Sequence, residues 1–149
     1  MPVRDDRKLY EFLILEGAQA GLSWDTVLAK RENYRNALSG FDFNRIAKFT
    51  GKEKRELLSN PGIVRNRAKI ESLVVNARGV LALRKEFGSF SHYVWSFQNK
   101  GAEALSKDLK RRGFNFVGPT IVYAFMQATG MVNDHEKSCF RWKELDARR

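Results

Sequence analysis

The chain has 149 residues, 43% hydrophobic and 12% aromatic, which suits one globular domain with a real core and excludes a disordered polyelectrolyte. Lys and Arg number 27 against 17 Asp and Glu, a formal charge of +10, so a polyanionic partner is expected, nucleic acid before acidic membrane. The single cysteine, Cys139, excludes an internal disulfide and a four-cysteine cluster and fits a reducing compartment. With no apolar run near the roughly 18 residues of a membrane span and no apolar signal segment in "MPVRDDRKLY", a cytoplasmic protein without membrane contact is expected.

The predicted elements are almost all helices. Leu9, Phe12, Leu13, Glu16 and Ala20 fall at helical spacing, with Asp5 or Asp6 as a start cap and Gly21 as a stop. Ser23 can cap a second helix that puts Trp24, Val27, Leu28, Arg31 and Leu38 on one side. Asp42 can cap a short helix through Phe43, Ile46 and Ala47, and another short helix runs from about Lys52 to Leu58, halted by Asn60-Pro61-Gly62. A long helix follows, with Ile70, Leu73, Val74, Ala77 and Leu81 inward and Gly88 beyond its end. Ser89 can cap an aromatic helix holding Phe90, Tyr93, Trp95 and Phe97. "AEALSKDLKRR" and "PTIVYAFMQATG" are the last two, joined by "GFNFVG". No segment alternates with period two long enough for a strand. The chain therefore reads as one compact all-α domain, residues 1–149, of seven to nine helices.

Glu16 sits where a core residue belongs. A buried carboxylate needs a partner or a raised pKa, because desolvation disfavours its charged form. Two readings stay open on this evidence: a structural bond to a helix end or an arginine, or a recognition site.

The second signal is "LKRRGFNFVGPTIVYAF". Lys110, Arg111 and Arg112 close one helix, Gly113 can end it, and Gly118 precedes Pro119, a good first helical residue. The tight turn and the following helix start leave backbone N–H groups free, an array that binds phosphate without reading sequence. Phe114, Phe116 and Val117 can anchor the turn. The pattern is similar to a helix–hairpin–helix element, with an ordinary αα-hairpin as the alternative.

Together these stretches resemble the DNA-3-methyladenine glycosylase I family. The matching segments are "LEGAQAGLSWDTVLAKRENYR" (residues 15–35), "GIVRNRAKIESLVVNAR" (62–78), "SFSHYVWSF" (89–97) and "ALSKDLKRRGFNFVGPTIVYAFMQATGMVNDH" (104–135), followed by Cys139. The resemblance implies a helical glycosylase domain of the helix–hairpin–helix superfamily that acts as a monomer on alkylated double-stranded DNA and excises 3-methyladenine. It implies that Glu16 is the catalytic carboxylate that contacts the base and that Trp24 is an aromatic wall of the base pocket. Gly21 and Leu22 would contact DNA, Leu22 as a wedge in the gap left by the flipped nucleotide. Lys110, Arg111, Arg112, Gly113, Phe116, Gly118 and Thr120 would hold the backbone. "VNDH" places Asn133 where many relatives in the wider superfamily have a catalytic Asp, so Asp134 is not expected to be a general base.

The chain departs from the pattern in two places. Family members begin further upstream, in a segment that supplies pocket aromatics and two zinc ligands, and the connection from Phe97 to Ala104 is shorter here. His135 and Cys139 match half of the zinc site that the resemblance implies; His92 is the only other histidine and no second cysteine exists, short of the four ligands of structural zinc. The alternative function is a catalytically impaired member that binds DNA without sequence preference.

Overall fold

The computed structural model describes residues 2–19 and 23–132. Among these residues there are nine helices and no strand: α1 (Asp6–Gln19), α2 (Trp24–Ala29), α3 (Arg31–Ala37), α4 (Phe43–Ile46), α5 (Gly51–Leu58), α6 (Arg67–Phe87), α7 (Phe90–Trp95), α8 (Ala102–Arg111) and α9 (Pro119–Ala128).

Helix α1 is the hub. Its apolar residues Leu9, Tyr10, Leu13, Ile14 and Leu15 are all buried, and it packs against α2, α6, α7 and α9. Asp5 starts it by accepting the Lys8 N–H at 3.0 Å. The Asp6 carboxylate reaches across the fold instead, accepting the N–H groups of Phe90 (3.1 Å) and Ser91 (2.8 Å) at the start of α7. Arg84 completes that junction, 3.1 Å from Asp6. Tyr10 ties α1 to the long helix by donating its hydroxyl to the Leu73 carbonyl at 2.7 Å.

The stripe expected on α6 is inward: Ile70, Leu73, Val74 and Ala77 are buried, and Leu81 packs partly buried against them. Gly88 ends the helix at φ 90°, a conformation that favours glycine. The region after Ser23, read as one helix, is two. Lys30 (φ −98°, ψ 0°) ends α2 and starts α3, and the bend lets Val27 and Tyr34 both bury. Residues 39–41 are all left-handed, at φ 53°, 69° and 61°. Such backbone costs of order 1–3 kcal/mol per strained residue; here it inserts the Phe41 ring, fully buried and edge-on to Tyr10 at 6.4 Å.

Candidate active site and backbone-facing hairpin

Two buried carboxylates stand five residues apart on α1, and they differ in one respect. Glu11, 5% exposed, is gripped by Arg31 at 2.7 Å and Arg35 at 3.2 Å. It is a satisfied acid that fastens α3 to α1. Glu16 is 6% exposed and makes no hydrogen bond or ion pair with any described residue. Burial alone lifts its carboxyl to about 7. The structural reading of Glu16 required a helix end or an arginine, and among the described residues it has neither. No fully buried side-chain oxygen among the described residues lacks a hydrogen-bond partner, so the unbonded Glu16 carboxylate keeps a narrow contact with solvent. A mostly desolvated acid with a raised pKa is the kind of group that clusters at functional sites.

The end of α1 is held from α6. Lys69 donates to the Ala18 carbonyl at 3.0 Å, a cation at a helix C-terminus, and burial lowers its pKa. Beside it a cavity of ≈ 20 Å³, about the size of one water, is bounded by Gly17, Lys69, Ser72, Asn76 and Phe116.

Phe116 belongs to the turn between α8 and α9, and that turn is fixed residue by residue. The Phe114 ring fills the space over Gly79, where a Cβ would overlap it. Asn76, 2% exposed, accepts the Asn115 N–H at 2.9 Å and donates to the Asn115 carbonyl at 3.0 Å. Phe116 takes φ 57° and lies against Gly17, where a Cβ would stand 3.2 Å from its own. Ser106 donates to the Val117 carbonyl at 2.6 Å. Gly113 has φ 92°, and Pro119 is the first residue of α9. With these anchors made, the N–H groups of Phe116, Val117 and Gly118 have no bond to any described residue. They precede the open first turn of α9, which carries Thr120, exposed.

The neighbouring cations are not equivalent. Lys110 and Arg111 are exposed, Arg111 pairing with Asp108 on its own helix. Arg112 is built into the fold. It bonds Asp108 at 2.8 Å, pairs with Glu86 at 3.1 Å, and covers the rings of Phe87 and Tyr93.

Trp24 is the first residue of α2, started by the Ser23 hydroxyl accepting the Thr26 N–H at 3.2 Å. Gly21, Leu22, His135 and Cys139 lie outside the described residues. Sequence reasoning passed over Asn76, Gly17 and Gly79; the one available signal was a polar Asn beside Ala77 on an otherwise apolar stripe.

Fold and site define a helical protein with three unbonded backbone N–H groups in the turn before α9 and, on α1, one acid without a partner among the described residues. The family model described as methyladenine glycosylase matches residues 1–102 and 98–142. DNA-3-methyladenine glycosylase of Haemophilus influenzae is 45% identical over 156 residues, covering 93% of this chain and 84% of that one. DNA-3-methyladenine glycosylase 1 of Escherichia coli is 43% identical over 157 residues with the same coverage. A crystal structure of 3-methyladenine DNA glycosylase I superposes at TM-score 0.85 with 47% identity, covering 90% of this chain and 84% of that chain. A tyrosine-to-phenylalanine variant of such an enzyme, in complex with 3-methyladenine, superposes at 0.86 with 36% identity, covering 93% and 84%. The chain belongs to the methyladenine glycosylase family.

Proposed function

We infer that this chain is a DNA glycosylase that releases 3-methyladenine from alkylated DNA. The observation that carries the site assignment is Glu16: buried, unpartnered, and lifted to about 7 by desolvation. Relatives named for this activity, and a related structure holding 3-methyladenine, support the substrate.

The chemistry asks little of the protein. N-methylation leaves the purine cationic and its glycosidic bond weak. Once the nucleotide is extruded, an ionised Glu16 attracts the cation and accepts from its exocyclic amine. Entry of the cation favours loss of the Glu16 proton, so the carboxylate meets opposite charge in a water-poor site. The base departs with the electron pair of the C–N bond, as neutral 3-methyladenine. Water adds its oxygen to the sugar carbon and gives a proton to solvent. Trp24 is assigned to stack on the flat cation, and Leu22, flanked by Gly21, to fill the vacated space. The turn from Gly113 through Phe116 and Gly118 to Thr120, with Lys110 and Arg111, is assigned to the phosphate backbone of a duplex, one monomer per lesion.

Of the zinc ligands that the family resemblance implies, the given sequence carries His135 and Cys139, which lie outside the described residues. The sequence has two histidines and one cysteine, and no group of three metal-binding side chains occurs among the described residues. No step is routed through a metal.

The test is release of free base from methylated DNA by wild type and by Glu16→Gln, with the fold of both checked by circular dichroism. Release by the wild type and its loss in a folded variant is the expected result. A folded wild type that binds DNA and releases nothing overturns the reading in favour of a non-catalytic binder.

A further inference from the structure

A second opening lies beyond the small cavity. Val64 lines both, so the surface runs from the hairpin turn at Phe116, past Lys69 and Asn76, across Val64 and into a cleft of ≈ 620 Å³ walled by Thr26, Lys30, Ile63 and Arg65. Among the described residues no acidic side chain lines that cleft. Lys30 and Arg65 make no hydrogen bond or ion pair through their side chains with any described residue, as is true of several other surface cations; what sets these two apart is that they line the same cleft. Two cations on one open cleft, with no acidic group among its described lining residues, give that cleft a positive potential that favours an anion.

The loop that carries Arg65 is set before any ligand arrives. Asn60 accepts the Gly62 N–H at 2.8 Å, Asn33 donates to the Gly62 carbonyl at 3.1 Å, and Tyr34 accepts the Val64 N–H at 3.2 Å. Its ordering cost is therefore met on folding and not on binding. The opposite wall is the end of α2, through Thr26 and Lys30.

We propose that Lys30 and Arg65 form a second DNA-backbone site that grips the undamaged strand, while the hairpin grips the strand carrying the lesion. The proposal rests on the functional reading above. Its physical rationale is that removing a base from the stack leaves a duplex that no longer holds its own two strands in register. A protein touching one backbone only would leave the other free to close the gap. Two cations across the cavity from the hairpin, Arg65 on a loop already ordered and Lys30 at the end of α2, supply the second grip.

The test compares two probes: a duplex containing an abasic-site analogue, and the same lesion strand alone. The double variant Lys30→Ala/Arg65→Ala is expected to lose about tenfold in duplex affinity. Its salt slope should shrink by about 1.8, two phosphates at about 0.9 each. Its affinity for the single strand should stay at the wild-type value. Equal weakening on both probes, or no change on either, overturns the proposal. Lys110→Ala/Arg111→Ala serves as the control for the hairpin. It should weaken both probes; if it weakens neither while the first variant still loses duplex binding, the hairpin assignment fails and the second-strand site stands.

Discussion

Asn76 uses both ends of its buried amide on a single residue, accepting the Asn115 N–H and donating to the Asn115 carbonyl. That pairing replaces what a neighbouring strand would provide and fixes the turn's peptide planes. The N–H groups of Phe116, Val117 and Gly118 then point where no described group meets them. Asn76→Leu removes both bonds and leaves the part-buried Asn115 N–H and carbonyl without their partner, at about 1 kcal/mol each. The variant is expected to bind abasic-analogue DNA at least tenfold more weakly while its affinity for free 3-methyladenine is kept. Fluorescence titration with both ligands checks this. Parallel loss of both affinities would mean that Asn76 supports the fold and not the grip.

Burial of Glu16 costs stability once the group ionises, and pH exposes that cost. Its folded pKa of about 7 lies above the ordinary 4.5. The folded state thus holds a proton that the unfolded state has released. Stability is fully present below the unfolded value and is lost as pH rises towards 7, by about 3 kcal/mol at about 1.36 kcal/mol per pKa unit. Glu16→Gln lacks this loss. Denaturant unfolding of both proteins should show the variant gaining on wild type by about 3 kcal/mol between pH 4.5 and pH 7.5. Over that range base release by wild type should rise as Glu16 ionises, and the variant should stay inactive. A pH-independent stability difference would place the charged carboxylate in contact with a partner.

Much of this was legible in the chain. Caps at Ser23, Asp42 and Ser89 and the stops at Gly88 and Gly113 act through a few neighbouring residues, so local chemistry specifies them. The inward position of Glu16 followed from helical period alone. The break at Lys30 was not legible, since α2 and α3 separate in order to reach Glu11 and the core, a tertiary demand on a sequence with no Gly or Pro there. Nor was Asn76, whose partner lies 39 positions away. The two glycines facing the turn were equally silent: a helical glycine reads as a weak point until the ring lying against it is seen.

Gly79 lies inside α6, where glycine costs about 1 kcal/mol against alanine. Gly79→Ala should therefore stabilise an isolated helix, yet in this fold its Cβ would enter the Phe114 ring. That ring stacks in turn on Phe90 at 6.4 Å. The expected net effect is a loss of about 1–3 kcal/mol, measured by thermal unfolding. Restored stability in Gly79→Ala/Phe114→Leu would locate the clash. A single variant more stable than wild type would show that the ring has room to move.

Arg112 was grouped with Lys110 and Arg111 as a phosphate contact, but its surroundings give it other work. Burial pushes the Asp108 carboxyl up, and hydrogen bonds from Tyr93, Arg112 and Arg111 outweigh it and hold the group at about 2. A depressed carboxyl contributes stability above its unfolded value near 4, and that contribution is lost as pH falls towards 2. Burial, with Asp108 adding to it, also raises the Tyr93 phenol. Arg112→Ala removes one arm of this cluster and uncovers two rings. It should cost about 1–3 kcal/mol at pH 7, with a smaller cost near pH 2. The slope of DNA affinity against salt should stay at the wild-type value. Lys110→Ala and Arg111→Ala should do the reverse, each lowering the slope by about 0.9 with little change in melting temperature. If Arg112→Ala instead melts like wild type and lowers the slope, its guanidinium leaves Asp108 and Glu86 for a phosphate when DNA binds, and the cluster is a relay between the hairpin and α6.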